Sequence, residues 1–95
     1  KPKEKEKDNE ATLEQNFPNP FNPTTTITYS IPRGGHVRLS VFNLLGQEVA
    51  LVFEGTQSTG TYEIHFDKNE LPTGIYFYRI RAPGFAETRK MIITK

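Results

Sequence analysis

Residues 26–41 read Thr26-Ile27-Thr28-Tyr29-Ser30-Ile31-Pro32-Arg33-Gly34-Gly35-His36-Val37-Arg38-Leu39-Ser40-Val41. Ile27, Tyr29 and Ile31 alternate with Thr28 and Ser30, and Val37, Leu39 and Val41 alternate with Arg38 and Ser40. A period of two puts the apolar set on one face of an extended strand and the polar set on the other. Between the two runs, Pro32 fixes φ and Gly34-Gly35 admits backbone angles that side chains disfavour, which is turn chemistry. No apolar stripe with a 3.6-residue period is long enough to make a helix, so the stretch reads as β.

The same texture extends outward from it. Tyr62, Ile64 and Phe66 alternate with Glu63 and His65, and Tyr76, Tyr78 and Ile80 alternate with Arg79 and Arg81. Residues 48–53 are nearly all apolar, which predicts either cover on both faces or a bulge. Residues 87–94 place Met91 and Ile93 on one face and Lys90 and Ile92 on the other. Leu45-Gly46-Gln47, Ser58-Thr59-Gly60, Pro72-Thr73-Gly74 and Pro83-Gly84 punctuate the runs as turns. At most, residues 68–71 make one helical turn capped by Asp67. About seven short strands spaced by turns predict a two-sheet antiparallel sandwich, with a small barrel as the alternative closure.

Ninety-five residues with 35% hydrophobic content suffice for one domain. A chain of this size buries only ~60–65% of its unfolded surface, which leaves little surplus for a strained active site. The absence of cysteine excludes disulfides, thiolate metal sites and cysteine nucleophiles. A net charge of +1 gives no electrostatic grip on phosphate backbones, so nucleic acid is not an expected partner. No apolar run approaches the ~18 residues of a membrane helix, so no transmembrane segment is expected.

Residues 1–12 differ from the rest. Lys1, Lys3, Lys5 and Lys7 balance Glu4, Glu6, Asp8 and Glu10, with no aromatic or branched aliphatic residue to bury. Such a stretch reads as a flexible charged linker, with a marginal helix as the competing reading. It implies a tether to an N-terminal cargo domain in the same chain, and Met91 as the only methionine likewise points to a fragment of something longer or a processed product. Residues 13–95 are then the folded domain, expected to be a monomer.

Chemistry-bearing motifs are scarce. His36 and His65 lie far apart and lack the three or four converging ligands a zinc site needs, so no metal or cofactor is expected. No Gly-x-Ser-x-Gly elbow, phosphate loop or paired carboxylates stand out, so no catalytic residue is predicted and the chain does not read as an enzyme. A carbohydrate-binding or structural appendage is the rival reading. The lack of tryptophan and the inward parity of most Tyr and Phe count against it.

Gln15-Asn16-Phe17-Pro18-Asn19-Pro20-Phe21-Asn22-Pro23-Thr24-Thr25, followed by Ile27-Thr28-Tyr29, resembles the opening of type A C-terminal sorting domains of the type IX secretion system of Bacteroidetes and related bacteria. Later landmarks follow in the family's order. These are Val41-Phe42-Asn43-Leu44-Leu45-Gly46-Gln47-Glu48-Val49, Gly60-Thr61-Tyr62, Phe66-Asp67, Leu71-Pro72-Thr73-Gly74-Ile75-Tyr76-Phe77-Tyr78-Arg79 and the closing Thr88-Arg89-Lys90-Met91-Ile92-Ile93-Thr94-Lys95. Phe66 is a departure, standing before Asp67 where many members carry Trp. The resemblance spans residues 13–95 and implies an all-β, immunoglobulin-like β-sandwich. It also implies passage of the cargo across the outer membrane, with outer-membrane shuttle and sortase-like proteins as partners, and a secreted or surface-anchored destination. An Ig-like domain of flagellar hook-capping proteins has a similar texture.

Candidate recognition residues each carry two readings. Asn19-Pro20-Phe21-Asn22-Pro23 is either a rigid recognition elbow or a segment whose Phe21 plugs one end of the sandwich. Gly46 and Gly74 supply backbone angles at turns. Tyr76 and Tyr78 point inward, with hydroxyls that need partners at the core edge. Lys90 and Lys95 carry the resemblance's basic terminal signature, yet their odd separation puts them on opposite faces. If residues 19–23 leave Ile75 and Phe77 uncovered, these two and Ile92 form an exposed apolar strip beside Lys90. The strip is then either a contact surface for secretion machinery or an ordinary covered face with a solvated lysine.

Overall fold

In the computed structural model, which describes residues 10–95, every alternating run becomes a strand. The strands are β1 (Thr12–Leu13), β2 (Thr24–Ile31), β3 (Gly35–Phe42), β4 (Glu48–Gln57), β5 (Gly60–Asp67), β6 (Gly74–Ala82) and β7 (Phe85–Ile93). Residues 1–9 of the expected linker lie outside the described residues, among which there is no helix.

The strands form two antiparallel sheets, of order β1-β2-β5 and β4-β3-β6-β7. This is an immunoglobulin-like sandwich in which β4 stays beside β3, whereas the constant-domain arrangement places the fourth strand in the first sheet. Register follows parity: Ile27 opposes Ile64, Leu39 opposes Ile80, Val41 opposes Tyr78 and Tyr76 opposes Met91. The inward set packs between the sheets, with Ile27, Tyr29, Val37, Leu39, Val41, Tyr78, Ile80 and Met91 fully buried. Each aliphatic side chain of this set, and Met91, contributes ~1.5–3 kcal/mol by leaving water.

The apolar run in β4 resolves as bulges on an edge strand. Register shifts fall between Leu39 and Ser40 and between Val41 and Phe42. Phe53 and Ala50 thereby oppose inward-facing Leu39 and Val41, while Leu51 opposes Ser40 and is 49% exposed. Cover on both faces is not what the run encodes. Residues 68–71 form no helical turn. Instead Asp67 Oδ1 accepts the Asn69 N–H at 2.7 Å, Asn69 takes φ 52°, and the Leu71 N–H bonds the Lys68 carbonyl.

Two tyrosines brace strand starts in the same way. The Tyr76 hydroxyl donates to the Pro72 carbonyl at 2.8 Å, and the Tyr62 hydroxyl to the Ser58 carbonyl at 2.6 Å. Each ties a strand to the loop four residues before it, the tyrosine-corner device of such sandwiches.

β1 pairs with Ser30 and Tyr29 near the end of β2, so the chain enters the sandwich at one pole. Residues 17–23, the β3–β4 turn, the β5–β6 loop and the C-terminus gather at the other pole. β1 and the C-terminal end of β7 therefore lie at opposite poles of the sandwich.

Candidate functional site

The C-terminal half of β7 is paired along both of its edges. On one side β6 matches it residue for residue, with Ile75 opposite Ile92 and Phe77 opposite Lys90. On the other side lies the segment of residues 13–21. The Arg89 guanidinium donates to the Leu13 carbonyl, and the Gln15 amide donates to the Lys90 carbonyl at 2.7 Å. Asn19 Oδ1 accepts the Ile92 N–H at 2.9 Å, the Phe21 N–H donates to the Ile92 carbonyl, and the Thr94 N–H donates to the Phe21 carbonyl. A sheet edge that would otherwise template pairing with another chain is thus occupied.

Phe21 anchors this seal. It is 1% exposed and meets Phe66 edge to face, with ring centroids 6.2 Å apart. Pro20, beside it, is exposed. Asn19 spends its side chain on β7 rather than on a local Asx turn. The motif therefore closes an edge as well as plugging an end.

Behind the seal lies a polar network. Asn16 is 2% exposed, and its amide donates to Thr25 Oγ1 at 3.0 Å and to the Pro18 carbonyl at 3.2 Å. The Asn16 backbone N–H donates to the Tyr78 hydroxyl, which itself donates to the Glu14 carbonyl. Burial pushes the Tyr78 phenol up to about 12, against the lowering effect of the Asn16 hydrogen bond. Tyr29 is likewise raised by burial, its hydroxyl bonded to Gln57.

Of the candidate residues, Phe77, Lys90 and Ile92 share the outer face of the four-stranded sheet, together with Ile75. Phe77 and Ile92 are half-buried, Lys90 is exposed and Ile75 is 41% exposed. Residues 19–23 run beside this face and do not lie over it. Tyr76 points inward at 5% exposure. Lys95 is exposed beyond the end of β7. Gly46 (φ 83°) closes the β3–β4 turn and Gly74 (φ 153°) opens β6, so both shape loops at this pole.

That β3–β4 turn, expected from Leu45-Gly46-Gln47, carries two exposed apolar residues outside the candidate set. Leu44 and Leu45 are 66% and 83% exposed. Asn43 fixes them there, its Oδ1 accepting the Leu45 and Gln47 N–H groups while its backbone bonds Gly46 and Gln47. Exposed leucines in a turn carry no parity signal, so alternation could not reveal them. Asn16 and Thr25 are equally silent, because they bond each other and the Pro18 carbonyl across an irregular segment that alternation does not describe, and Gln15 is silent because its Lys90 partner lies 75 residues on.

Higher on the same face, Arg38 is clamped by Glu48 at 2.6 Å and Glu54 at 2.8 Å. The Glu48 hydrogen bond, chiefly, holds the Arg38 guanidinium above its usual range. Glu54 is held below the usual carboxylate range, first by its 2.9 Å hydrogen bond to His36 and then by Arg38.

A family model described as the secretion system C-terminal sorting domain matches residues 15–94. No curated protein and no solved structure matches the chain.

Proposed function

Because the chain belongs to the secretion system C-terminal sorting domains, the sorting signals of type IX secretion, we propose that it is read through side chains on the outer face of its four-stranded sheet. One observation carries this reading: the C-terminal half of β7 has its backbone engaged on both sides. An export protein that recognised this strand by adding a strand of its own would first have to displace residues 13–21. Ile75, Phe77, Lys90 and Ile92 need no such displacement. They set an apolar strip beside the exposed Lys90, an apolar centre with a polar rim of the kind protein contacts have.

In this reading outer-membrane shuttle and sortase-like proteins engage the C-terminal pole. The cargo, leaving from the opposite pole, stays clear of them. Cleavage on the N-terminal side of β1 and attachment of the cargo to the cell surface would complete the route. The domain works as a monomer and supplies no catalytic group. A sugar-binding role is disfavoured because Phe17 is the one strongly exposed aromatic ring among the described residues, and one ring makes no stacking platform.

The test is a fusion of residues 1–95 to a fluorescent protein behind a signal peptide. Surface display or release in a host with the type IX machinery, and periplasmic retention without that machinery, is the expected result. Retention in both hosts overturns the proposal.

A further inference from the structure

The outer face of the four-stranded sheet carries charge that the fold leaves uncompensated. Its cations are Arg38, Arg79, Arg81 and Lys90, and its acids are Glu48 and Glu54. Both acids are taken by Arg38. Arg81 stands directly opposite Arg38 across the β3–β6 ladder, a like-charge placement that costs stability. Among the described residues neither Arg79 nor Arg81 makes an ion pair or a side-chain hydrogen bond. The outer face of the other sheet, with Thr24, Thr26, Thr28, Ser30, Thr61, Glu63, His65 and Asp67, carries no Lys or Arg.

These two guanidinium groups line a trough. A concavity of about 280 Å³ is bounded by Arg38, Ser40, Phe42, Glu48, Arg79 and Arg81. It shares Phe42 and Arg79 as walls with a second beside Phe77 and Leu44, and Arg38 and Arg81 with a third beside His36 and Pro83. Of the outward column of β6, Arg81, Arg79 and Phe77 line these concavities, and the column continues to the exposed Ile75 toward the C-terminal pole. Successive members of that column stand two residues apart, ~6.6–6.8 Å along the strand. An extended peptide has the same period, and guanidinium forks bind carboxylates bidentately.

We propose that this trough binds an extended segment of a partner protein that places two carboxylates against Arg79 and Arg81 and two apolar side chains against Phe77 and Ile75. The proposal extends the sorting reading by naming the chemistry of the bound segment. Its test is binding to the isolated chain, which can fail while export succeeds, and the reverse.

The probe is a fluorescein-labelled eight-residue peptide that alternates aspartate with threonine in one half and valine with threonine in the other. Its anisotropy is followed on titration with the full 95-residue chain. Saturable binding is expected, weakened about tenfold or more by Arg79→Gln with Arg81→Gln and weakened again by salt. Matching thermal melts for the variant and the parent chain show that the fold is intact. Three results overturn the proposal: no binding at about millimolar peptide, binding indifferent to the double substitution, or equal binding of a peptide with lysine in place of aspartate. Polyphosphate or anionic vesicles binding as tightly as the peptide also overturns it, by reducing the trough to a general anion surface.

Discussion

The Tyr78 hydroxyl accepts the Asn16 backbone N–H at 2.7 Å, joining the middle of β6 to a residue 62 positions earlier. Through that contact the leading segment becomes part of the core rather than a strap over it. Tyr78→Phe keeps the ring but leaves the Asn16 N–H and the Glu14 carbonyl without their partner. The expected loss is ~1–3 kcal/mol, a fall in Tm of several degrees at ~4–8 °C per kcal/mol. Thermal unfolding followed by circular dichroism checks it.

The same phenol sets an alkaline limit. Its folded pKa of about 12 lies above the unfolded value of 10.0, so the folded state favours the protonated form. That stability is fully present below pH 10 and is lost as pH rises through about 12, on the order of 2 kcal/mol in all. Tyr29 shifts in the same direction and adds to the loss. Denaturant midpoints measured from pH 8 to pH 12 should fall more steeply for the parent chain than for Tyr78→Phe.

Phe21→Ala removes a ring that is 1% exposed and abuts Phe66. A cost of ~3–5 kcal/mol follows from the cavity and the lost transfer energy. This is a large part of the ~5–15 kcal/mol a small domain has. Amide exchange locates the damage: the Thr94 N–H, which donates to the Phe21 carbonyl, should lose protection before amides of β3.

Deleting residues 86–95 should unfold the domain and not merely erase its label. The cut removes Met91 and Ile93 from the core and leaves β6 unpaired along one side. It also frees Phe21 and Asn19 from their partners on Ile92 and Thr94. Circular dichroism of the shortened chain should show no cooperative transition. Point substitutions on the outer face therefore separate recognition from folding, and truncation does not.

Alternation announced most of the fold because burial in a sandwich is decided locally. Ile27, Leu39 and Tyr78 each turn inward for the reason their sequence neighbours turn outward. What alternation could not convey was pairing across long separations. Nothing near residue 48 says that β4 remains beside β3, and nothing near Asn19 says that its side chain will meet an amide 73 residues later. The outer strip was legible as a condition, since Ile75, Phe77 and Ile92 share parity, and the missing element was where residues 19–23 would lie. Arg79 and Arg81 were legible as outward-facing, but their lack of partners depends on how Glu48 and Glu54 are shared.

The central claim, that export machinery reads side chains of this outer face, is tested most directly with Phe77→Ser and Lys90→Glu together in the fluorescent fusion. Both residues face outward and neither belongs to the buried core, so cooperative melting should persist with a modest drop in Tm. Surface fluorescence should fall to the level seen without the secretion machinery while the fusion accumulates in the periplasm. Undiminished surface display by a folded double variant would contradict the account.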